Sequence, residues 1–189
     1  MDRVLLACST EKAGGSLVEF LKAAGYLNVS IASSGSEARR LIAEGDYSLI
    51  VINSPLSDEF GHELGLTIVE STPAGVILLV KAEAADEVSA RVESEGVLVV
   101  AKPIVRAVFY QALRFVTASR QRIMGLRKEN DKLQHKIEEI RLVDRAKCVL
   151  IQVLKLTEPQ AHRYIEKQAM DRRCPRGEVA QEILKTYEM

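Results

Sequence analysis

The chain has 189 residues, of which 47% are hydrophobic and 28% are charged, with a formal net charge of zero. This composition excludes a disordered protein, and no apolar run approaches the roughly 20 residues that a membrane-spanning helix needs. The zero net charge conceals an uneven distribution, since residues 1–119 carry 10 Lys and Arg against 15 Asp and Glu, whereas residues 120–189 carry 16 against 11.

Short apolar runs alternate with helical segments along the first two-thirds of the chain. The predicted strands are 3–7, 29–32, 49–52, 76–80 and 97–101, and the predicted helices are 14–25, 35–44, 62–71, 84–94 and one that begins near Val105. Runs such as "LIVI" and "VILLV" are apolar on both faces, which is typical of parallel strands covered by helices on both sides. The sequence therefore predicts an α/β fold with a doubly wound five-stranded parallel sheet, whose ligands bind outside the carboxyl ends of the strands.

The residues at these strand ends narrow the prediction. The third strand ends in "VIN" and is followed by a Pro and Gly61, and the fifth strand runs into "AKPI" at residues 101–104. With five strand–helix units, this region resembles the receiver domain of response regulators, and we assign it to residues 1–115. In that family the lysine that ends the fifth strand reaches a phosphoryl group on an aspartate of the third strand, and the bond before the following Pro is commonly cis. The resemblance places Lys102 and Pro103 at these two positions and Asn53 at that of the aspartate.

The positions that would carry phosphoryl chemistry are substituted. Cys8 and Ser9 stand where the family places two acids that hold Mg²⁺, Asn53 stands at the phosphoacceptor position, and Val80 replaces a Ser or Thr. A thiol, a hydroxyl and an amide supply no charge for Mg²⁺, and an amide does not form an acyl-phosphate. We therefore predict a receiver-like domain that is not conventionally phosphorylated, in which Lys102 has a structural or hydrogen-bonding role.

Other candidate sites are weaker. Asp58 or Glu59 could replace the missing acceptor, but both fall in the loop beyond the strand end. Three scattered cysteines predict neither a disulfide framework nor a zinc site. No catalytic, metal-ligating or cofactor-binding pattern stands out, and the N-terminus lacks the features of a secretory signal peptide. We therefore expect a cytosolic protein that is not an enzyme and needs no cofactor.

A heptad pattern follows between residues 116 and 140. Apolar residues recur at alternate spacings of three and four from Val116, and charged segments between them leave one narrow apolar stripe. We predict a coiled-coil linker helix that forms a homodimer, either parallel or antiparallel, with packing of the stripe on the receiver-like domain as the alternative. A single Asn at an a position would fix its register. The predicted dimerisation residues are Ile123, Leu126, Asn130, Leu133, Ile137 and Ile140.

The remaining segment, 141–189, predicts a small domain of three helices. The first ends at Leu154, the second runs from Glu158 to about Arg172, and the third runs from Pro175 or Arg176 to Thr186. A capping-box spacing at Thr157 and a Pro in the first turn mark the start of the second helix. The predicted core is Val143, Ala146, Leu150, Leu154, Ala161, Ile165, Ala169, Val179, Ala180, Ile183, Leu184 and Tyr187.

Three stretches of this domain, "RAKCVLI", "LTEPQAHRYIEKQAMDRR" and "GEVAQEIL", occur in an order and spacing that resemble the ANTAR family of RNA-binding transcription antiterminators. Cys148 and His162 depart from the residues that are usual there. The resemblance implies that the target is a pair of small hairpins in a leader transcript, whose capture prevents a terminator from forming. A receiver domain, a coiled coil and an ANTAR domain follow one another in this order in known antiterminators.

Five cationic residues lie off the predicted core of this domain. RNA loops are bound through bases stacked on aromatic or guanidinium planes, with Lys and Arg at the phosphates. The candidate RNA-binding residues are Lys147, Arg163, Arg172, Arg173 and Arg176. Alternatively, the arginines only solvate a helix end or pair with Asp171 and Glu178.

The function predicted from these features is a transcription antitermination regulator, controlled by a protein partner on the receiver-like domain or by its own abundance. Two other functions stay open. The second and third C-terminal helices could form a DNA-binding helix-turn-helix, although their connection lacks the usual short glycine-containing turn. The chain could also be a scaffold that sequesters another regulator without binding nucleic acid.

Overall fold

The computed structural model describes residues 3–187, apart from the side chain of residue 11. The outermost residues of the two predicted terminal domains, 1, 2, 188 and 189, lie outside this range. The chain divides into two units, the first ending at Met124 and the second beginning at Gly125. Between residues 3 and 187, no helix combines the length and hydropathy that crossing a membrane requires.

The first unit contains a single parallel sheet. Its strands are β1 (Arg3–Cys8), β2 (Asn28–Ala32), β3 (Leu49–Asn53), β4 (Gly75–Lys81) and β5 (Val97–Lys102). They are ordered β2-β1-β3-β4-β5, which confirms the predicted five-stranded parallel sheet. The strand order reverses between β1 and β3, so the carboxyl ends of these two strands border the crevice in which such sheets bind ligands.

Seven helices complete the described chain. They are α1 (Glu11–Ala23), α2 (Gly35–Glu44), α3 (His62–Ser71), α4 (Ala82–Val92), α5 (Arg106–Leu154), α6 (Glu158–Arg172) and α7 (Arg176–Tyr187). The bounds of α2 and α3 are those predicted. Helix α1 begins three residues before its predicted start, because the segment "EKA" has good helix propensity and the two glycines that follow lie inside the helix.

Helices cover both faces of the sheet. Residues of β1, β3 and β4 point alternately into two cores, one shared with α2, α3 and α4 and the other with α1 and the first turns of α5. Leu5 and Ile50 lie in the first core, and Leu6 and Val51 lie in the second. This burial on both sides explains why the strands read as continuous apolar runs.

The N-terminal end of the predicted heptad stripe packs inside this unit. Val116 is 7% exposed and lies in the second core with Phe109 and Ala112. It approaches Gly75 so closely that a Cβ at position 75 would overlap its Cγ1 atom. At Val116 the stripe therefore packs on the receiver-like unit, which was the alternative to a seam between two chains, because the start of β4 covers its side chain.

The second unit has its own small core, formed by the end of α5 with α6 and α7. Nearly all of the predicted core residues are buried or partly buried there, and Val149 joins them. The predicted burial of Leu154 and Tyr187 is wrong, since their side chains are 41% and 38% exposed. Each residue ends its helix beyond the last turn that packs on the core. Alanines at 146, 161 and 180 are fully buried, so the helices can approach closely.

Candidate functional site

The carboxyl edge of the sheet holds a closed set of hydrogen bonds around Asn53. Cys8 and Asn53 are register partners at the ends of β1 and β3, and the Asn53 amide donates to Cys8 Sγ at 3.2 Å. Lys102 at the end of β5 donates from Nζ to Asn53 Oδ1 at 3.0 Å and also to the carbonyl of Ser54. The bond between Lys102 and Pro103 is cis. The ammonium therefore contacts the residue at position 53, as the receiver resemblance implies.

The electrostatics of this edge do not suit a bound divalent cation. Burial lowers the pKa of Lys102, and the nearby Lys81 acts in the same direction, while Cys8 opposes it. Ser9 donates from its hydroxyl to the carbonyl of Pro55 at 3.2 Å, and Val80 is fully buried in the first core. Among the described residues, no group of His, Cys, Asp or Glu side chains is placed to hold a metal ion.

Asp58 and Glu59 are engaged elsewhere. The Asp58 carboxylate accepts hydrogen bonds from the backbone N–H groups of Gly35 and Ser36, at 2.7 and 2.9 Å, and from the Ser36 hydroxyl at 2.9 Å. These bonds lower its pKa to about 2. Glu59 accepts from Arg39 at 2.5 and 3.0 Å. Both acids therefore secure the N-terminal turns of α2, which argues against a substitute acceptor role.

In the second unit, the five predicted RNA-binding residues have different environments. Lys147 lies between two carboxylates, 2.8 Å from Asp144 and 3.0 Å from Glu158, and its side chain is only 17% exposed. Hydrogen bonds to Asp144 and Glu158 raise the pKa of Lys147. Lys147 joins α5 to α6, and its charge is already balanced by two carboxylates. Its environment is therefore that of a structural residue.

The arginines divide into two pairs. Arg172 forms an ion pair with Glu182, and Arg176 lies 3.6 Å from Glu166, so both link α6 to α7. The alternative partners suggested by the sequence, Asp171 and Glu178, are therefore wrong. Arg163 and Arg173 are exposed, and neither side chain has a hydrogen bond or ion pair in the described part of the chain.

The corner between α6 and α7 forms an open cleft that Arg173 and Arg176 line. Arg173 ends α6 in the left-handed conformation, with φ of 54°. The cleft encloses about 410 Å³ and is lined by Glu166, Ala169, Met170, Arg173, Cys174, Pro175 and Arg176. Met170 is 77% exposed at this cleft. Its spacing from Arg163 and Lys167 on α6 could have marked this face in the sequence.

The predicted dimerisation residues form an uncovered stripe on α5. Ile123, Leu126, Leu133, Ile137 and Ile140 are between 48% and 58% exposed, and Asn130 is exposed with them. Regular exposure of large aliphatic side chains along one helix is the pattern of a helix that lacks its partner.

Comparison with known proteins relates both parts of the chain to described families. The ANTAR domain family matches residues 131–184. The chain is 27% identical to the transcriptional regulatory protein PdtaR of Mycobacterium tuberculosis over 184 residues, covering 97% of this chain and 90% of that protein. It is 26% identical to the aliphatic amidase regulator of Pseudomonas aeruginosa over 136 residues, which is 71% of this chain and 69% of that protein.

Solved structures match the first unit. A response regulator receiver domain protein from Clostridium thermocellum aligns with a TM-score of 0.59 at 18% identity, covering 65% of this chain and 99% of that one. The HemR receiver domain from Leptospira biflexa aligns with a TM-score of 0.53 at 28% identity, covering 62% of this chain and 94% of that one. The fold of the first unit is therefore that of a receiver domain.

Proposed function

We propose that the chain is a cytosolic, non-enzymatic transcription antitermination regulator that binds hairpin loops in nascent leader RNA. The proposal rests on its receiver-plus-ANTAR architecture, which is that of a response regulator. The ANTAR match over residues 131–184 is the observation that carries the proposal. The match includes α6, most of α7 and the five cationic candidates for RNA contact.

The α6–α7 corner supports the binding role. Arg173 is exposed at this corner without a carboxylate partner in the described part of the chain, and Arg172 and Arg176 flank the corner in ion pairs that are open to solvent. Arg163 is equally exposed and unpaired among the described residues, but it lies nearer the start of α6. Guanidinium groups stack on unpaired bases and pair with phosphates, and RNA loops present both. We place the phosphate and base contacts on these four arginines and give Lys147 a supporting role.

The receiver-like domain would then act without phosphoryl transfer. Asn53 is engaged by Lys102 and Cys8, and the nearest acids in sequence, Asp58 and Glu59, are bound to α2 and Arg39. Control therefore passes to a protein partner of this domain or to the abundance of the chain. Incubation with a histidine kinase and labelled ATP tests this point, and we expect no label on the chain. Transfer of phosphate to it would contradict the proposal.

The exposed stripe on α5 supports a homodimer through residues 123–140. These residues lie in the proposed coiled-coil segment 116–140, between the receiver-like domain at 1–115 and the ANTAR domain at 141–189. Two chains would bury ten large aliphatic side chains that a single chain leaves exposed. A dimer would also present two ANTAR domains, which matches a target of two hairpins. This arrangement makes simultaneous engagement of both hairpins possible.

A gel-shift comparison of hairpin-containing leader RNA with the corresponding DNA duplex tests the proposed function. We expect the full chain to retard the RNA and to leave the duplex free at the same protein concentration. Preference for the duplex would favour the helix-turn-helix function instead. If the chain retards neither nucleic acid at any salt concentration, the scaffold function would be favoured.

A further inference from the structure

The first unit contains a cavity that the RNA-binding role does not use. It encloses about 340 Å³ and lies at the amino-terminal edge of the sheet, where Arg3 begins β1 and residues 45–48 lead into β3. Tyr47 and Ile50, both buried, line it, and Arg120 and Met124 of α5 also contribute to its lining. Its volume falls in the range of roughly 300–1,000 Å³ that is usual for small-molecule sites.

Two arginines with unused hydrogen-bond donors line this cavity. The Arg3 guanidinium stacks 4.9 Å from the centre of the Tyr47 ring, and Gly45 leaves it room, because a Cβ there would lie 2.8 Å from Arg3 Nη1. Arg120 donates from Nε to the carbonyl of Pro73 at 3.0 Å, which orients its guanidinium. Neither arginine pairs with a carboxylate among the described residues. Asp46 also lines the cavity, so two formal positive charges face one negative charge.

We propose that this cavity binds a small organic anion, a carboxylate or phosphate with an apolar body, through the guanidinium groups of Arg3 and Arg120. Arginine presents paired N–H donors that match the oxygens of carboxylate and phosphate groups. The apolar body of the ligand contacts Tyr47, Ile50 and Met124. These residues supply the apolar surface that typically lines such pockets, with a few polar groups for orientation.

The position of Arg120 and Met124 gives such a ligand a regulatory consequence. Both residues belong to α5, the helix that continues without interruption to Leu154. A ligand held by Arg3 on β1 and by Arg120 on α5 joins the sheet to this helix. The site therefore offers an input to the regulator that requires no phosphoryl transfer.

The experiment uses the full ¹⁵N-labelled chain, titrated with benzoate and phenyl phosphate as the anionic compounds and with benzyl alcohol as the uncharged counterpart. We expect at least one anion to shift the amide resonances of Tyr47, Ser48 and Ala74 with a millimolar Kd, and benzyl alcohol to bind at least about tenfold more weakly. The double variant Arg3→Gln/Arg120→Gln should weaken anion binding at least about tenfold. Arg120→Lys, which keeps the charge and loses the paired donors, should give an intermediate affinity.

The control variant is Arg114→Gln, which removes an exposed arginine of α5 that does not line the cavity. It should bind the anions as the parent does, and the amide spectrum of each variant reports whether the first unit is folded. The proposal is overturned if neither anion shifts these resonances, or if the folded double variant binds as tightly as the parent. The measured resonances belong to the first unit, and the experiment contains no RNA. Failure of this proposal can therefore be distinguished from failure of the proposed RNA-binding function.

Discussion

At the scale of single residues, Lys102, Asn53 and Cys8 form connected hydrogen bonds at the carboxyl edge of the sheet. Asn53 is only 9% exposed, and its amide oxygen accepts from Lys102 while its amide nitrogen donates to Cys8. Lys102 therefore satisfies the hydrogen-bonding needs of a buried amide. Its contribution is thus to the stability of the first unit.

Replacement of this lysine tests the structural role. Lys102→Gln should lower the free energy of unfolding of the first unit by about 1–3 kcal/mol, because the shorter Gln side chain draws its donor away from the Asn53 oxygen and the Ser54 carbonyl. Urea unfolding followed by circular dichroism measures the change. Lys81→Gln, at an exposed lysine at the end of the neighbouring strand, is the control and should change the midpoint little. Equal midpoints for the two variants would refute the structural role.

Asp58 gives a prediction that depends on pH. Its pKa in the folded chain is about 2, below the ordinary value of 3.8, so its stabilising effect is present above pH 3.8 and is lost as the pH falls toward 2. The difference in Tm between the parent and Asp58→Asn should therefore be constant between pH 7 and pH 5 and should narrow from pH 4 to pH 3. Glu70→Gln, at an exposed acid of α3, should show no such narrowing. A pH-independent difference for Asp58→Asn would contradict the role of its carboxylate at α2.

At the scale of elements, the sheet could be predicted because each strand is apolar on both faces and each connection has helical periodicity. The start of helix α1 was predicted less well, because the Gly pair at 14–15 suggested a start that lies inside the helix. The packing partner of Val116 also could not be predicted from the sequence. Its heptad spacing is the same whether it faces a second chain or the strand that begins at Gly75, and only the packing of α5 on the sheet decides.

The exposed stripe of α5 predicts self-association. Leu126→Ser/Leu133→Ser should raise the dimer Kd at least about a hundredfold, because each leucine would bury an apolar side chain worth roughly 1.5–3 kcal/mol at the seam. Sedimentation velocity of the full chain measures the distribution of monomer and dimer. The matched control, Lys128→Ser/Lys132→Ser, changes two residues of the same helix at positions f and c of the heptad, which face away from the seam. A monomeric parent, or a dimer as stable in the leucine variant, would rule out the seam.

At the scale of the whole molecule, the chain joins an acidic receiver-like region to a basic region that matches the ANTAR family, through one helix that belongs to both units. The sequence predicted the cationic candidates, because they lie off the helical core, but it did not predict their partners. Lys147 meets Glu158, and Arg172 meets Glu182, only because α6 packs against both α5 and α7. These cations are thus neutralised by acids distant in sequence, whereas Arg163 and Arg173 have no such partner among residues 3–187.

We propose that arginines around the α6–α7 corner bind looped RNA. The most direct test is the affinity of the full chain for hairpin leader RNA at several salt concentrations, for the parent and for Arg172→Gln/Arg173→Gln/Arg176→Gln. The control Lys12→Gln/Lys22→Gln/Arg114→Gln removes the same charge from exposed positions of the first unit. We predict that the corner variant binds at least about a hundredfold more weakly, with the slope of log K against log salt reduced by roughly two, while the control binds as the parent does. A corner variant with the affinity and salt dependence of the parent would contradict the claim.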